Sequence, residues 1–184
     1  MSVLESLKQR NSHARLAEPG PDAKALQCIL RAGLRAPDHG RLRPWRFCVI
    51  EGASRDRLGT ILANGLQLRD PSVDTAALQK AQSAPLRAPT IIAGLLQAQE
   101  HPKVPRVEQV AAVASALYGM SLAANALGFG AIWRTGAYAR DPIVITALGG
   151  SPSDEIIGFL YVGTREGPSK LIQEEELDQF VSYL

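Results

Sequence analysis

The sequence predicts a layered protein of the α+β or α/β class, a single sheet covered by helices. Three observations carry this. Apolar strand-like runs at Arg46–Glu51, Thr90–Leu96 and Ile156–Val162 are separated by helical stretches, and the last lies far from the first. A helix from about Arg106 to Leu127 is apolar on every side. The 184 residues, 46% of them hydrophobic, suffice for one well-packed core, so residues 1–184 are expected to form a single domain.

In chain order, Val3 to Gln9 reads as a short helix opened by a Ser2–Glu5 capping box, with Leu4 and Leu7 turned to a core. It runs into Arg10-Asn11-Ser12-His13-Ala14-Arg15. A guanidinium fork, a hydroxyl and backbone N–H groups there suit one phosphate, and equally a solvated helix end with favourable C-terminal charge. After the turn Glu18–Pro21, Asp22 caps a helix to about Ala36 whose buried face is Leu26, Ile29, Leu30 and Leu34.

Pro37 forces Ala36 out of helical geometry and fixes where the next loop begins. Arg35, His39, Arg41 and Arg43 then place three permanent cations and one switchable group within nine residues, more charge than a connector needs. A solvated basic loop anchored by Trp45 is the competing reading. In the strand Arg46–Glu51 the run Phe47-Cys48-Val49-Ile50 suits a central strand covered on both faces. Ser54 is a candidate cap for a helix over Arg55–Leu68, and a shorter helix spans Asp74 to about Gln82. Pro85 and Pro89 bracket a break before the strand Thr90–Leu96, and His101–Pro105 is a rigid loop.

The long helix stops at Gly128. Its length and lack of charge between Val110 and Leu127 would suit a membrane span. Ser115, Gly119, Ser121, Asn125, its alanine content and its single occurrence argue instead for burial in protein. Covering both sides in one small domain takes a second copy, so a homodimer with an apolar interface is expected; a lone central core helix is the alternative. Gly128–Gly136 has the form of a short buried strand entering a glycine-flanked turn, where backbone N–H groups can approach a planar ligand. Asp141 and Pro142 are the N-cap and first position of a helix to Leu148. The polar tail carries an acidic run, Glu174–Glu176, with Phe180 and Tyr183 available to dock on a neighbouring subunit.

A net charge of +2 and 5% aromatic content argue against a nucleic-acid binder. Cys28 and Cys48 occupy apolar positions without redox or metal spacing and read as reduced core residues. The start MSVLESLKQR lacks the pattern of a secretory signal, so a cytoplasmic protein is expected. His13, His39 and His101 are scattered, and no metal site is expected. There is no phosphate-binding Walker loop, Gly-x-Ser-x-Gly elbow or carboxylate dyad, and Gly128-Phe129-Gly130 follows a helix where a dinucleotide fingerprint follows a strand. If the protein is an enzyme, a bound cofactor supplies the chemistry, and no catalytic side chain is assigned.

Arg10-Asn11-Ser12, Ala36-Pro37 with Pro44-Trp45, the long apolar helix and Gly-Phe-Gly-Ala-Ile-Trp-Arg-Thr-Gly together resemble the FMN-dependent nitroreductase family, most closely its bacterial YdjA-type branch. The resemblance runs nearly end to end and implies an α+β fold, a mainly antiparallel sheet flanked by helices in an intertwined homodimer. It implies that Arg10, Asn11 and Ser12 hold the FMN phosphate and ribityl end, that Arg35 and His39 reach the same FMN from the other subunit, and that Trp133, Arg134 and Thr135 lie along its ring. Ala123, Ala124, Asn125, Ala126, Leu127 and Gly128 would lie near NADH or NADPH. The implied reaction is ping-pong hydride transfer through flavin N5 to a nitroaromatic, quinone or similar acceptor, with Arg35 or a loop arginine steadying the reduced ring. A flavin-binding protein with little turnover, or a specialised flavin oxidase or dehydrogenase, are the alternatives. Asp38, His39, Arg41 and Arg43 depart from the amide-bearing loop of the wider family, and Val107 stands where the branch carries an aromatic residue.

Overall fold

The computed structural model describes residues 3–168 and 170–184; the Ser2 half of the expected capping box lies outside them. Among the described residues six α-helices, α1 (Val3–Gln9), α2 (Ala23–Gly33), α3 (Ser54–Arg69), α4 (Thr75–Ser83), α5 (Arg106–Ala126) and α6 (Pro142–Ala147), surround five strands. These are β1 (Leu16–Ala17), β2 (Trp45–Glu51), β3 (Thr90–Leu96), β4 (Gly130–Arg134) and β5 (Glu155–Arg165). The strands pair antiparallel in the order β1-β5-β3-β2, and β4 also pairs with β5. The α+β arrangement with an antiparallel sheet is therefore the one the family resemblance implies.

Period-two alternation sends neighbouring side chains of β3 and β5 to opposite faces. Ile91, Ala93, Leu95, Phe159 and Tyr161 pack with Leu58 and Leu62 of α3 and Val144 and Ile145 of α6. Ile92, Leu160 and Val162 pack with Ile29 of α2 and Leu117, Met120 and Ala124 of α5. α2 lies so close to α5 that a Cβ on Gly33 would overlap the Met120 side chain.

Local chemistry sets many boundaries. Asp22, Asp74 and Asp141 each accept a backbone N–H at the start of α2, α4 and α6, the capping geometry these residues favour. Five expectations are corrected. α2 ends at Gly33, because tight bonds from Arg35 N to Ala32 O and Ala36 N to Gly33 O close a turn before Pro37; Arg35 thus leaves the helix, and Leu34 is exposed. Cys28 is exposed, on the side of α2 away from the core. β2 is the end strand of the sheet, mostly half-buried, since only β3 pairs with it. Ser54 is the first residue of α3 and Ala53 holds the cap position without a side-chain bond. On α1, Ser6 is buried while Leu4 and Leu7 are exposed.

Candidate functional site

Two motifs 119 residues apart in sequence meet at one strand. Ser12 bridges Ala131 in parallel, and His13 N donates to Ala131 O at 3.0 Å, so the chain leaving α1 runs along the edge of β4 that β5 does not use. The Asn11 amide braces this segment: Nδ2 donates to Lys170 O at 2.9 Å and Oδ1 accepts from Ser12 N at 2.9 Å. Arg10 is half-buried and makes no ion pair among the described residues. Ser12, His13, Arg15, Glu166 and Lys170 line a hollow of about 300 Å³. Burial, then the positive charges of Arg165 and Arg10, lower the His13 pKa, and its Nδ1 is buried without a hydrogen-bond partner.

Three residues further along β4, about 10 Å at the usual rise of a strand, the strand turns towards a cleft. Trp133 sits opposite Leu160, is 37% exposed, and donates from Nε1 to Ile157 O at 3.3 Å. Arg134 points to the other face. Its guanidinium lies 5.7 Å from the Tyr161 ring centroid, and its Nε is buried with no partner. Thr135 and Gly136 leave the strand, Gly136 at φ +105°, a conformation that favours glycine. With Lys80, Arg87, Tyr138, Phe159 and Tyr161 they line a cleft of about 600 Å³. No carboxylate lines it, and none pairs with Lys80, Arg87 or Arg134 among the described residues. Burial pushes the Tyr161 hydroxyl pKa up, opposed by Arg134 and Arg87.

Arg35 and His39 lie elsewhere. His39 Nδ1 is 2.7 Å from Glu108 Oε2, in the first turn of α5. Asn125, in the last turn, accepts from Arg165 Nη2 at 2.5 Å and donates to the Ser6 hydroxyl at 3.4 Å. The 17-residue step from Glu108 to Asn125 spans about 26 Å of helix. Within one chain, then, the Arg10–Ser12 segment and the His39 loop stand at opposite ends of α5. Of Ala123–Gly128, Ala124 and Asn125 are buried and residues 126–128 are exposed.

The loop after α2 is held in a costly shape. Arg41 and Arg43 have φ of +53° and +50°, left-handed conformations that cost a non-glycine residue about 1–2 kcal/mol each. Asp38 Oδ2 accepts from Arg43 N at 2.7 Å and Gln99 Nε2 donates to Leu42 O at 2.7 Å, pinning it from both sides. Lys80, Arg87 and Lys170 escaped the sequence reading because each is an ordinary surface cation until the fold carries it to the site.

Residues 7–164 match the nitroreductase family. The chain belongs to the nitroreductase family. That match takes in Arg10–Ser12, the basic loop and β4, but stops short of Lys170. The chain is 45% identical over 184 residues to "Putative NAD(P)H nitroreductase YdjA" of Escherichia coli K12, covering all of both, in keeping with the branch that its motifs resemble. It is 33% identical over 186 residues to "Putative NAD(P)H nitroreductase" of Haemophilus influenzae, again covering all of both. Among solved structures it resembles a nitroreductase-like family protein from Bacillus cereus (TM-score 0.85, 19% identity, 100% of this chain and 96% of that one). A nitroreductase with bound FMN from Bacteroides fragilis shares the fold with a TM-score of 0.76 at 22% identity, over 100% and 99% of the two chains.

Proposed function

We propose that this nitroreductase-family chain is an FMN-dependent NAD(P)H oxidoreductase that acts as a homodimer on a nitroaromatic, quinone or similar acceptor. The Ser12–Ala131 bridge carries the reading, because it joins a phosphate-type donor set to a strand that ends at a cationic, aromatic cleft. The residues present fit FMN. Arg10, the Ser12 hydroxyl and Lys170 supply two cations and a donor for a phosphoester. At the other end the buried, unpartnered Arg134 Nε and the apolar walls of Phe159 and Tyr161 suit a flat ring with polar edges.

FMN, when bound, supplies the chemistry by accepting hydride from NAD(P)H at N5 and passing the electrons to the acceptor. The chain positions and polarises. Lys80, Arg87 and Arg134 place uncompensated positive charge around the cleft, which favours electron-rich ligand edges. Thr135 and Gly136 bring backbone N–H groups to its rim without side-chain bulk at the glycine.

The dimer follows from α5. Val107, Ala111 and Tyr118 are exposed, and Ala114 and Leu122 half-buried, at helical spacing along the side turned away from the sheet, an apolar stripe that a second copy would cover. Such pairing supplies the Arg35 and His39 that one chain's Arg10 end lacks. The two free cysteines fit the reducing cytoplasm.

The test is optical. Purified protein is expected to be yellow, or to become so with FMN, and to bleach when NADPH or NADH is added without oxygen. Protein that takes up no FMN overturns the reading; bound FMN that neither nucleotide reduces overturns its nucleotide half.

A further inference from the structure

The basic loop holds a second recess, of which the flavin reading uses only Arg35. Arg35, Arg41 and Arg43 line a cup of about 460 Å³ with Asp38, Leu34 and the indole of Trp45. Asp38 is the one carboxylate on its wall, and Asp38 is already committed to the Arg43 backbone N–H. None of the three arginines makes an ion pair among the described residues. Two of them hold left-handed backbone conformations in a loop pinned by Asp38 and Gln99, so their positions are imposed by the fold. Guanidinium groups carried on a pinned backbone beside Trp45 match a phosphomonoester attached to a purine nucleoside.

We propose that Arg41 and Arg43, with Arg35 and Trp45 completing the cup, receive the adenosine 2′-phosphate of NADPH and so select NADPH over NADH. This rests on the reductase reading above. Arg35 stands on the shared wall: it would turn towards the partner's flavin while the two arginines beyond it meet the remote end of the nucleotide.

The probes are adenosine 2′,5′-bisphosphate and adenosine 5′-monophosphate, titrated calorimetrically into the FMN-loaded protein. The variant is Arg41→Gly with Arg43→Gly, which removes both side chains while glycine keeps the φ values without a Cβ penalty. Charge-assisted contacts of this kind make the bisphosphate bind about ten- to a hundredfold tighter than the monophosphate in the native protein, a margin the double variant loses. The ratio of kcat/KM for NADPH over NADH falls tenfold or more with it. Equal affinity for the two probes in the native protein, or a margin that survives in the variant, overturns the proposal. Loss of FMN from the variant also overturns it, because the arginines would then serve the flavin. Failure of the native protein to bind FMN at all is the separate outcome that removes the reductase reading.

Discussion

Ser12 pairs in parallel with Ala131, the one parallel contact among the described strands and bridges. It brings a helix end to the proposed site, because Ser12 is thereby fixed about 10 Å from Arg134 along β4, with Arg10 two residues further back. Among the described residues Arg10 has no ion-pair partner to lose. Arg10→Ala is therefore expected to weaken FMN binding by about 1.5–3 kcal/mol, some ten- to a hundredfold, with little change in melting temperature. Flavin fluorescence titration measures the first and calorimetry the second; unchanged affinity would remove Arg10 from the phosphate end.

His39 stands beside Glu108 at the far end of α5 from Asn125. If each flavin takes Arg10 from one subunit and His39 from the other, Arg10→Ala and His39→Ala subunits complement each other. Mixed after unfolding and refolding, half the dimers are hybrids and each hybrid has one unaltered site, so about a quarter of native flavin sites return. Neither variant refolded alone recovers them. Absence of recovery in the mixture would show that each site is built from one chain.

Much of this was legible in the sequence where the cause is local. Asp22, Asp74 and Asp141 announce helix starts because a short carboxylate beside a backbone N–H acts within three residues. The apolar run Thr90–Leu96 is the fully buried strand that its composition suggests. The similar run Phe47–Ile50 is not, because burial of a strand depends on which strands flank it, and β2 has a neighbour on one side. Arg10–Ser12 and Trp133–Thr135 were legible as motifs, yet their adjacency needed the bridge. Lys80 and Arg87 were not legible, since nothing near them in sequence shows that α4 and the turn after it face Thr135.

Gly158 lies on β5 beneath the Trp133 indole, where an added Cβ would overlap Nε1. Backbone on both strands is fixed by the ladder, so the indole must yield, and at 37% exposure it has solvent to swing into. Gly158→Ala is expected to break the Trp133–Ile157 hydrogen bond and shift tryptophan emission to the red, with only a small fall in melting temperature. A fall in stability without a spectral shift would mean that the sheet, not the indole, absorbs the clash.

His13 gives a pH dependence with a definite sign. Burial first, then Arg165 and Arg10, hold its pKa below the ordinary value of about 6.5, while acceptance by the unfolded chain is ordinary. Between these two values the unfolded state binds a proton that the folded state does not, so acidification favours unfolding. The contribution is fully present above about pH 6.5 and is lost as pH falls through the folded pKa, below which both states are protonated and the loss levels off. Denaturant midpoints measured from pH 8 to pH 5 should therefore fall more steeply for the native protein than for His13→Gln, which cannot titrate. Parallel curves would show that the imidazole beside Ser12 is as free to charge in the folded protein as in the unfolded chain.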